Sequence, residues 1–348
     1  MHGIWLVILA IVLAFYVIGL LGLGWWFSQR EHTAEDFLVA GRRLPCWLTT
    51  FSLIATWYGA GTLLTVADEV REVGWTAALM DPVGAGLCLA LAGWWIAAPL
   101  WRMNLLTVGD FFKQRYHRSV EIAAALVLIP SYFGWIAAQF VALAALLNHF
   151  FSIPLSLGLL TVAIVGTGYT VLGGMWAVAA TDAVQLGCVL AGVGMLGWLA
   201  VDMTTAADLL EGLQFVPAEG EDPARLTVIL DALVIGALGN LCGQDLIQRI
   251  LSARSPQDAR RACQMATIAY LVFGLIPIFL GAVGAAHGMR DGSVVMSLAE
   301  HLMHPAALIV FVVAVGVRSA VHDRQCHPRA RQRDGAESCS SVLASTME

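Results

Sequence analysis

From Ile122 to Thr181 the chain contains no Lys, Arg, Asp or Glu. A soluble domain of ordinary size cannot bury so long an apolar segment, whereas a bilayer can, because each helical crossing takes about twenty apolar residues. Of the 348 residues, 59% are hydrophobic and 13% are charged, which is about half the charged fraction of a soluble domain. The sequence therefore predicts an all-α, polytopic membrane protein.

Apolar segments of crossing length recur along the chain. We predict helices near 4–27, 46–67, 74–100, 121–148, 153–171, 178–201, 227–248 and 264–287, and a ninth that begins near 302. Helix is the assignment because a segment in lipid must satisfy its own backbone hydrogen bonds. The first segment has no basic leader and ends in Trp25 and Trp26, which suit the headgroup interface, so it is predicted to be a crossing and not a cleaved signal.

The basic residues lie mostly in loops at one end of the predicted crossings. These loops hold eleven of them: Arg30, Arg42, Arg43, Arg102, Lys113, Arg115, Arg118, Arg249, Arg254, Arg260 and Arg261. The opposite loops hold Arg71, Arg225 and Arg290 and are otherwise acidic. Since cytoplasmic loops carry the excess of Lys and Arg, the N-terminus is predicted outside and the basic loops in the cytoplasm, with the protein in the cytoplasmic (inner) membrane.

Glycines interrupt two of the predicted crossings. Gly59 and Gly61 lie in SLIATWYGAGTLL, and Gly239 and Gly243 lie in GALGNLCGQDL. One interpretation is that both helices break at membrane depth and line a cavity, which is how transporter sites are built. The other is that small residues allow neighbouring helices to pack closely.

Four motifs resemble the sodium:solute symporter family, in order and at matching spacing. They are DFLVAGRRLP (Asp36–Pro45), TVGDFFKQRYH (Thr107–His117), GGMWAVAATDAVQ (Gly173–Gln185) and GQDLIQRILSARSPQDARRA (Gly243–Ala262). SLIATWYGAG and the helix around Trp135 are most similar to the choline-transporter branch. The resemblance implies sodium-coupled symport of a small organic solute by alternating access, without enzyme activity or a cofactor. Sodium would be the coupling ion, membrane lipid and the solute would be the partners, and no nucleic acid is implied.

The resemblance also implies an inverted-repeat transporter fold of two five-helix repeats. In this chain the first repeat would be 46–201, and the second, about 227–317, would be incomplete, with two full helices and part of a third. Residues 1–317 would form the transmembrane domain.

The resemblance places a sodium site at the first break. Ala55 and Tyr58 would donate backbone carbonyl oxygens, and Asp182 would help sodium leave to the cytoplasm. Such oxygens bind a cation without burying a permanent charge. Each residue also has an ordinary interpretation: Tyr58 as a packed aromatic ring, and Asp182 as an acid that complements a helix N-terminus.

The solute is expected beside the broken helices, near the bilayer midplane. The candidates are Trp57, Gly59, Trp135, Gln139, Gly243 and Gln244. Trp57 and Trp135 match aromatic positions of the choline branch, whose rings hold a quaternary ammonium by cation–π attraction. The branch has further aromatic residues where this chain has Ala85 and Gly243, so half of the cage is missing. Tryptophans are also common anchors at the membrane interface, which is the alternative for each of them.

Asp245 and Arg249 are four residues apart, on one face of the seventh predicted crossing. An ion pair within the membrane is a functional hypothesis, here a gate. A structural tie is the alternative, because Arg249 lies near the cytoplasmic boundary, where its side chain can reach water.

The character of the sequence changes after Val317. Residues 318–348 hold five Arg and four acids and no apolar run, where the family's third helix of the second repeat would continue with Ser and Thr. Our hypothesis is a shift of reading frame near residue 316 or an interrupted gene. The alternative is a short protein with a polar, disordered tail in the cytoplasm.

Three other functions are open at this point. The chain could be a non-transporting fragment of a transporter, or a membrane sensor with the same fold. An intramembrane enzyme ranks last, because it needs clustered polar groups in the bilayer, whereas His149, His287, His301 and His304 lie at helix ends and in loops.

Overall fold

In the computed structural model, residues 3–29, 33–59, 61–213, 226–289, 292–308 and 310–311 are described. Across these ranges the chain is helical and forms no β-strand. The helices are α1 (Gly3–Ser28), α2 (Ala34–Val39), α3 (Cys46–Trp57), α4 (Val66–Val73), α5 (Ala85–Leu91), α6 (Ala97–Arg102), α7 (Val108–Arg115), α8 (Arg118–Phe151), α9 (Leu155–Val201), α10 (Ala206–Gly212), α11 (Leu226–Leu238), α12 (Gln244–Ser252), α13 (Pro256–Ala286) and α14 (Val294–Leu302).

Within the described ranges, four helical segments are long and apolar enough to cross a bilayer: Val7–Ser28, Thr62–Arg102, Thr170–Val201 and Pro256–Ala286. Three shorter apolar helices are Cys46–Trp57, Leu155–Gly168 and Ile229–Leu238. The prediction of an all-α membrane protein is confirmed. Two of the predicted crossings, 46–67 and 227–248, are each broken into shorter helices, whereas α8 covers the predicted crossing 121–148 as one helix.

Two turns fall where predicted crossings adjoin, and one helix boundary differs from the prediction, each for a local reason. Gly74 ends α4 with φ 76° and ψ −156°, so the segment Thr62–Arg102 turns sharply within its length. Gly174 divides α9 with φ 47° and ψ −155°, in the left-handed region that glycine adopts readily. Helix α13 begins at Pro256 and not near 264, because the Ser255 hydroxyl caps it by accepting from the Asp258 amide at 3.0 Å. The tail from residue 318 lies outside the described residues.

Both glycine-rich crossings are broken. Helix α3 ends at Trp57, and Tyr58 follows with φ −73° and ψ 75°, outside the helical range. Helix α11 ends at Leu238, and α12 begins at Gln244 after an extended Gly243 with φ −64° and ψ 136°. The broken-helix interpretation of both segments is therefore the one that the structure adopts.

Helix α13 lies at the centre of the bundle, packed against α3, α4, α5 and α6, and α3 also packs against α9 and α12. At one end, the backbone of Leu44 joins the segment after α12: its amide donates to Ser252 O at 3.0 Å, and its carbonyl accepts from the Arg254 amide at 3.0 Å. These contacts hold the broken α3 and the short α12 side by side.

Candidate functional site

The break after α3 changes how its last carbonyl groups are used. The Tyr58 amide still donates to Ile54 O at 2.7 Å, but the Gly59 amide turns to Trp57 O at 2.8 Å instead of the carbonyl of Ala55, its acceptor in a continuing helix. The C-terminal end of a helix carries partial negative charge on its carbonyl oxygens. The geometry around Ala55, which is buried, therefore suits attraction of a cation.

The side chain of Tyr58 packs in the core. It is fully buried, its hydroxyl donates to Phe273 O at 2.9 Å, and its ring meets that of Tyr270 edge-on at 5.7 Å between centroids. The aromatic packing expected as an alternative is thus present, and it leaves the proposed role of the Tyr58 backbone carbonyl untouched.

Asp182 lies in a buried polar cluster that joins three helices. Its Oδ2 accepts from the Ser52 hydroxyl of α3 at 2.8 Å and from Arg249 Nη2 of α12 at 3.3 Å. Arg249 Nε also lies 3.1 Å from the carbonyl and from the hydroxyl oxygen of Ser52. We call Ser52, Asp182 and Arg249 the arginine cluster.

The ion pair of Arg249 differs from the one expected. Arg249 pairs with Asp182, and its contact with Asp245 is a hydrogen bond from Nη1 to the backbone carbonyl at 3.0 Å. The four-residue spacing does place Asp245 and Arg249 on one face of α12. However, Asp245 lies in the first turn of that helix, where its carboxylate is used by other partners.

Those partners are two aromatic side chains from other helices. Trp57 Nε1 donates to Asp245 Oδ2 at 2.9 Å, and the Tyr132 hydroxyl of α8 donates to Asp245 Oδ1 at 3.0 Å. The bond from Trp57 joins the broken end of α3 directly to the N-terminal turn of α12. The carboxylate therefore stands between two aromatic rings at the point where the two breaks meet.

Gly243 and Gln244 support the surroundings of Asp245 and α7 through contacts that the sequence did not indicate. A Cβ atom at Gly243 would lie 2.5 Å from Asp245 Oδ1, so the carboxylate occupies the space beside the glycine where the choline branch has an aromatic residue. The Gln244 amide donates to the Tyr132 hydroxyl at 2.8 Å, while its side-chain Oε1 accepts from the Val108 amide of α7 at 2.8 Å. The side chain of Gln244 thus anchors α7.

The remaining candidates are placed only in part. Gly59 is half-buried at the break. Trp135 and Gln139 lie within α8, but their side chains are outside the described part of the chain. Ala85 begins α5 and is buried.

The sequence interpretation missed a second polar cluster, formed by Thr62, Asp81 and Tyr270. Thr62 Oγ1 lies 2.6 Å from Asp81 Oδ2, and the Tyr270 hydroxyl donates to Asp81 Oδ1 at 2.9 Å. We call these three residues the hydroxyl cluster. Asp81 alone had a visible signal, as an acid within an apolar segment. Tyr132 and Ser52 had none, because their partners come from distant parts of the chain.

Comparison with known proteins identifies the family of this chain. The model of the sodium:solute symporter family matches residues 37–319. The human high affinity choline transporter 1 is 30% identical over 305 residues, which are 80% of this chain and 52% of that protein. The sodium/sialic acid symporter NanT of Aliivibrio fischeri is 24% identical over 288 residues, 79% of this chain and 56% of that protein. The chain spans about half the length of the curated relatives it matches.

A solved structure has the same fold. A Na⁺-coupled sialic acid symporter in a substrate-bound, outward-open state superposes with a TM-score of 0.75 over 90% of this chain and 70% of that one, at 18% identity. At this identity the likeness establishes the fold, and the family match over most of the chain establishes the ancestry. The chain belongs to the sodium:solute symporter family.

Proposed function

We propose that this chain carries out sodium-coupled symport of a small organic solute across the membrane by alternating access. The observation that carries the proposal is the bond from Trp57 to Asp245, at 2.9 Å, which brings the broken end of α3 onto the start of α12. Discontinuous helices that meet at membrane depth are the usual construction of ion and solute sites in secondary transporters.

The sodium ion would bind at the C-terminal end of α3. The carbonyl groups of Ala55 and Tyr58 would be two of its ligands, and Asp182 would act on its way to the cytoplasm. The turn of the Gly59 amide away from Ala55 supports this assignment.

The solute would bind beside Trp57 and carry positive charge. The support is the Asp245 carboxylate, which stands between the rings of Trp57 and Tyr132 and takes the place of an aromatic residue at position 243. A carboxylate and aromatic faces both attract a cationic group. Gly59 would allow the solute to approach the backbone, Gly243 leaves room for the Asp245 carboxylate, and Trp135 and Gln139 would complete the site.

Arg249 would act as a gate through its ion pair with Asp182 and its hydrogen bond to the backbone carbonyl of Asp245. The support is that the guanidinium group joins α3, α9 and α12, so that separating these helices must break its bonds. With the N-terminus outside and the basic loops in the cytoplasm, this cluster would close the cytoplasmic side. The repeats 46–201 and 227–317 would move against each other.

The test is uptake by vesicles that contain the full chain, with and without an inward sodium gradient. Radiolabelled choline, sialic acid and glucose serve as probes, because the relatives include carriers named for each. We expect sodium-dependent uptake that is strongest for the cation, and weaker solute affinity in Trp57→Ala. The matched control is Glu35→Gln, whose carboxylate pairs with Arg42 at 2.9 Å, away from the site.

Each other outcome has a defined meaning. Uptake without sodium dependence would assign another coupling ion. Sodium-dependent binding of a probe without uptake would favour the sensor or the non-transporting alternative. Unchanged solute affinity in Trp57→Ala would remove Trp57 from the solute site.

A further inference from the structure

Asp81 lies at a third irregular point of the bundle. Its backbone is extended, with φ −146° and ψ 124°, inside the widely wound π-helical segment Met80–Gly84, which follows the tightly wound 3₁₀-helical segment Gly74–Leu79. Helix α11 approaches this point closely, since a Cβ atom at Gly84 would lie 2.7 Å from Gly236 Cα. The extended backbone turns the Asp81 side chain towards the break after α3 and towards α13, where it meets Thr62 and Tyr270.

Four contacts between oxygen atoms connect this cluster. Thr62 Oγ1 lies 2.6 Å from Asp81 Oδ2, 2.7 Å from the Tyr270 hydroxyl oxygen and 3.0 Å from the carbonyl oxygen of Trp57. The Tyr270 hydroxyl lies 2.9 Å from Asp81 Oδ1. All four distances are those of hydrogen bonds, and each hydrogen bond requires one hydrogen atom between its two oxygens.

The side chains supply too few hydrogen atoms if Asp81 is ionised. A threonine hydroxyl and a tyrosine hydroxyl each bring one, whereas a carboxylate and a carbonyl oxygen bring none. Two hydrogens would then serve four close contacts. A proton on Asp81 Oδ2 provides a third: Asp81 donates to Thr62, Thr62 donates to Trp57 O, and Tyr270 donates to Asp81 Oδ1. One contact, between Thr62 and Tyr270, remains without a hydrogen of its own.

A metal cation fits these distances less well than a proton. Ions such as calcium hold oxygen ligands at about 2.3–2.6 Å and keep neighbouring ligands apart around them. Oxygen atoms separated by 2.6 and 2.7 Å around Thr62 leave little room for such an ion between them.

No charged group around the hydroxyl cluster, among the described residues, provides a counter-charge for Asp81 in place of a proton. On the elements packed against Met80–Gly84, the titratable residues are Cys88 of α5, Asp231 of α11, and Asp258, Arg260, Arg261, Cys263 and Tyr270 of α13, with Tyr58 beside Tyr270. The two arginines precede Tyr270 by nine residues or more, about 13 Å along the helix. None of the described ion pairs includes Asp81.

We propose that Asp81 is a proton-binding site, in which the proton on Asp81 allows Thr62 to donate to the Trp57 carbonyl at the break of α3. Loss of the proton would require Thr62 to donate to the carboxylate, so that the Trp57 carbonyl would keep the Gly59 amide as its donor and lose Thr62. Protonation of Asp81 is thereby linked to the geometry of the broken segment. This inference concerns a proton and a residue that the proposed transport cycle does not use.

The test is infrared spectroscopy of the purified full chain at about pH 7, where an aspartic acid in water is ionised. Labelling the aspartate carboxyl groups with ¹³C identifies the C=O stretch of a protonated aspartic acid by its isotope shift. We expect one such band in the unmodified chain, its loss in Asp81→Asn, and its retention in Asp231→Asn, whose side chain is exposed on α11. In Asp81→Glu the band should persist without the isotope shift.

Absence of the labelled band in the unmodified chain at about pH 7 would overturn the proposal whether or not any variant folds. Persistence of the shifted band in Asp81→Asn would overturn it as well, since another aspartic acid would then carry the proton. No solute or sodium gradient enters this experiment. Its failure therefore leaves the proposed transport function standing, and a failure of transport leaves this inference standing.

Discussion

Two carboxylates lie beside the segment around α3, one near its middle and one just beyond its C-terminal end, and they are compensated differently. In the arginine cluster, Asp182 has a guanidinium group 3.3 Å away and a hydroxyl 2.8 Å away. In the hydroxyl cluster, Asp81 has the two hydroxyls of Thr62 and Tyr270, and no described ion pair includes it. The same chemical group thus occurs once with a counter-charge and once with neutral donors.

The difference shows how a membrane protein can hold two acids for two purposes. Moving a carboxylate out of water costs several kcal/mol unless a charge or a full set of donors compensates it. Arg249 provides that compensation and ties three helices together. At Asp81 a proton can provide it, and a proton can leave. The arginine cluster is therefore suited to a mechanical contact, and the hydroxyl cluster to a change of protonation.

The largest expected effect comes from removing the counter-charge of Asp182. Arg249→Met should lower the free energy of unfolding by about 3–5 kcal/mol, because it leaves a buried carboxylate without its cation. The measurement is thermal and denaturant unfolding of the purified chain in detergent.

The double variant Arg249→Met with Asp182→Asn is the matched control. It should recover a large part of the loss, because the uncompensated charge is then absent. Equal stability of the single and double variants would mean that Asp182 does not depend on Arg249, and the contrast between the two clusters would fail.

The next effect concerns Trp57, which joins the hydroxyl cluster to the first turn of α12. Its carbonyl accepts from Thr62, and its indole donates to Asp245. Trp57→Phe keeps the carbonyl and an aromatic ring but removes a hydrogen bond to a charged group, which should cost about 1.5–3 kcal/mol. Unfolding in the presence and absence of Asp245→Asn measures the coupling, and additive effects of the two changes would contradict a direct bond.

Tyr270→Phe removes one of the two hydroxyls of the hydroxyl cluster. We expect a loss of about 1–2 kcal/mol, because Asp81 Oδ1 then lacks its donor. Tyr116→Phe, at an exposed tyrosine, is the matched control and should leave the unfolding midpoint unchanged. A Tyr270→Phe chain as stable as the control would show that the cluster contributes no stability.

The smallest effect is expected at an exposed ion pair. Glu35→Gln removes the partner of Arg42, whose guanidinium group keeps its hydrogen bonds to Leu105 O at 2.6 Å and Trp101 O at 3.3 Å. Exposed pairs contribute about 0–1 kcal/mol, so the unfolding midpoint should hardly move. If Glu35→Gln lowered the free energy of unfolding as much as Arg249→Met, burial could not explain why the Arg249–Asp182 pair matters more than the Arg42–Glu35 pair.

Local signals in the sequence predicted much of the architecture. Gly59 and Gly243 indicated where the two helices could break, and the apolar segments predicted the membrane helices. Backbone freedom and hydropathy both depend on a few adjacent residues. The start of α13 was predicted wrongly, whereas the turns at Gly74 and Gly174 agree with the bounds of the predicted crossings. Ser255 starts α13 early by capping it, and the sharp turn at Gly74 lies between two segments that were predicted as separate crossings.

The partners of the polar side chains were not predictable in the same way. The spacing of Asp245 and Arg249 favoured an ion pair within α12, yet Arg249 pairs with Asp182, sixty-seven positions away in the chain. Likewise, Thr62, Asp81 and Tyr270 have no common motif and meet only after three helices have packed.

By itself, the sequence determined that the chain is helical and lies in the membrane, since hydropathy belongs to short stretches of residues. It also identified two glycine-rich points, but left open whether the helices break there or only pack closely. Tertiary structure alone decided which acid receives the arginine and which receives hydroxyls. That choice depends on where packed helices leave a carboxylate out of water, and no local pattern encodes the distance between side chains from distant helices.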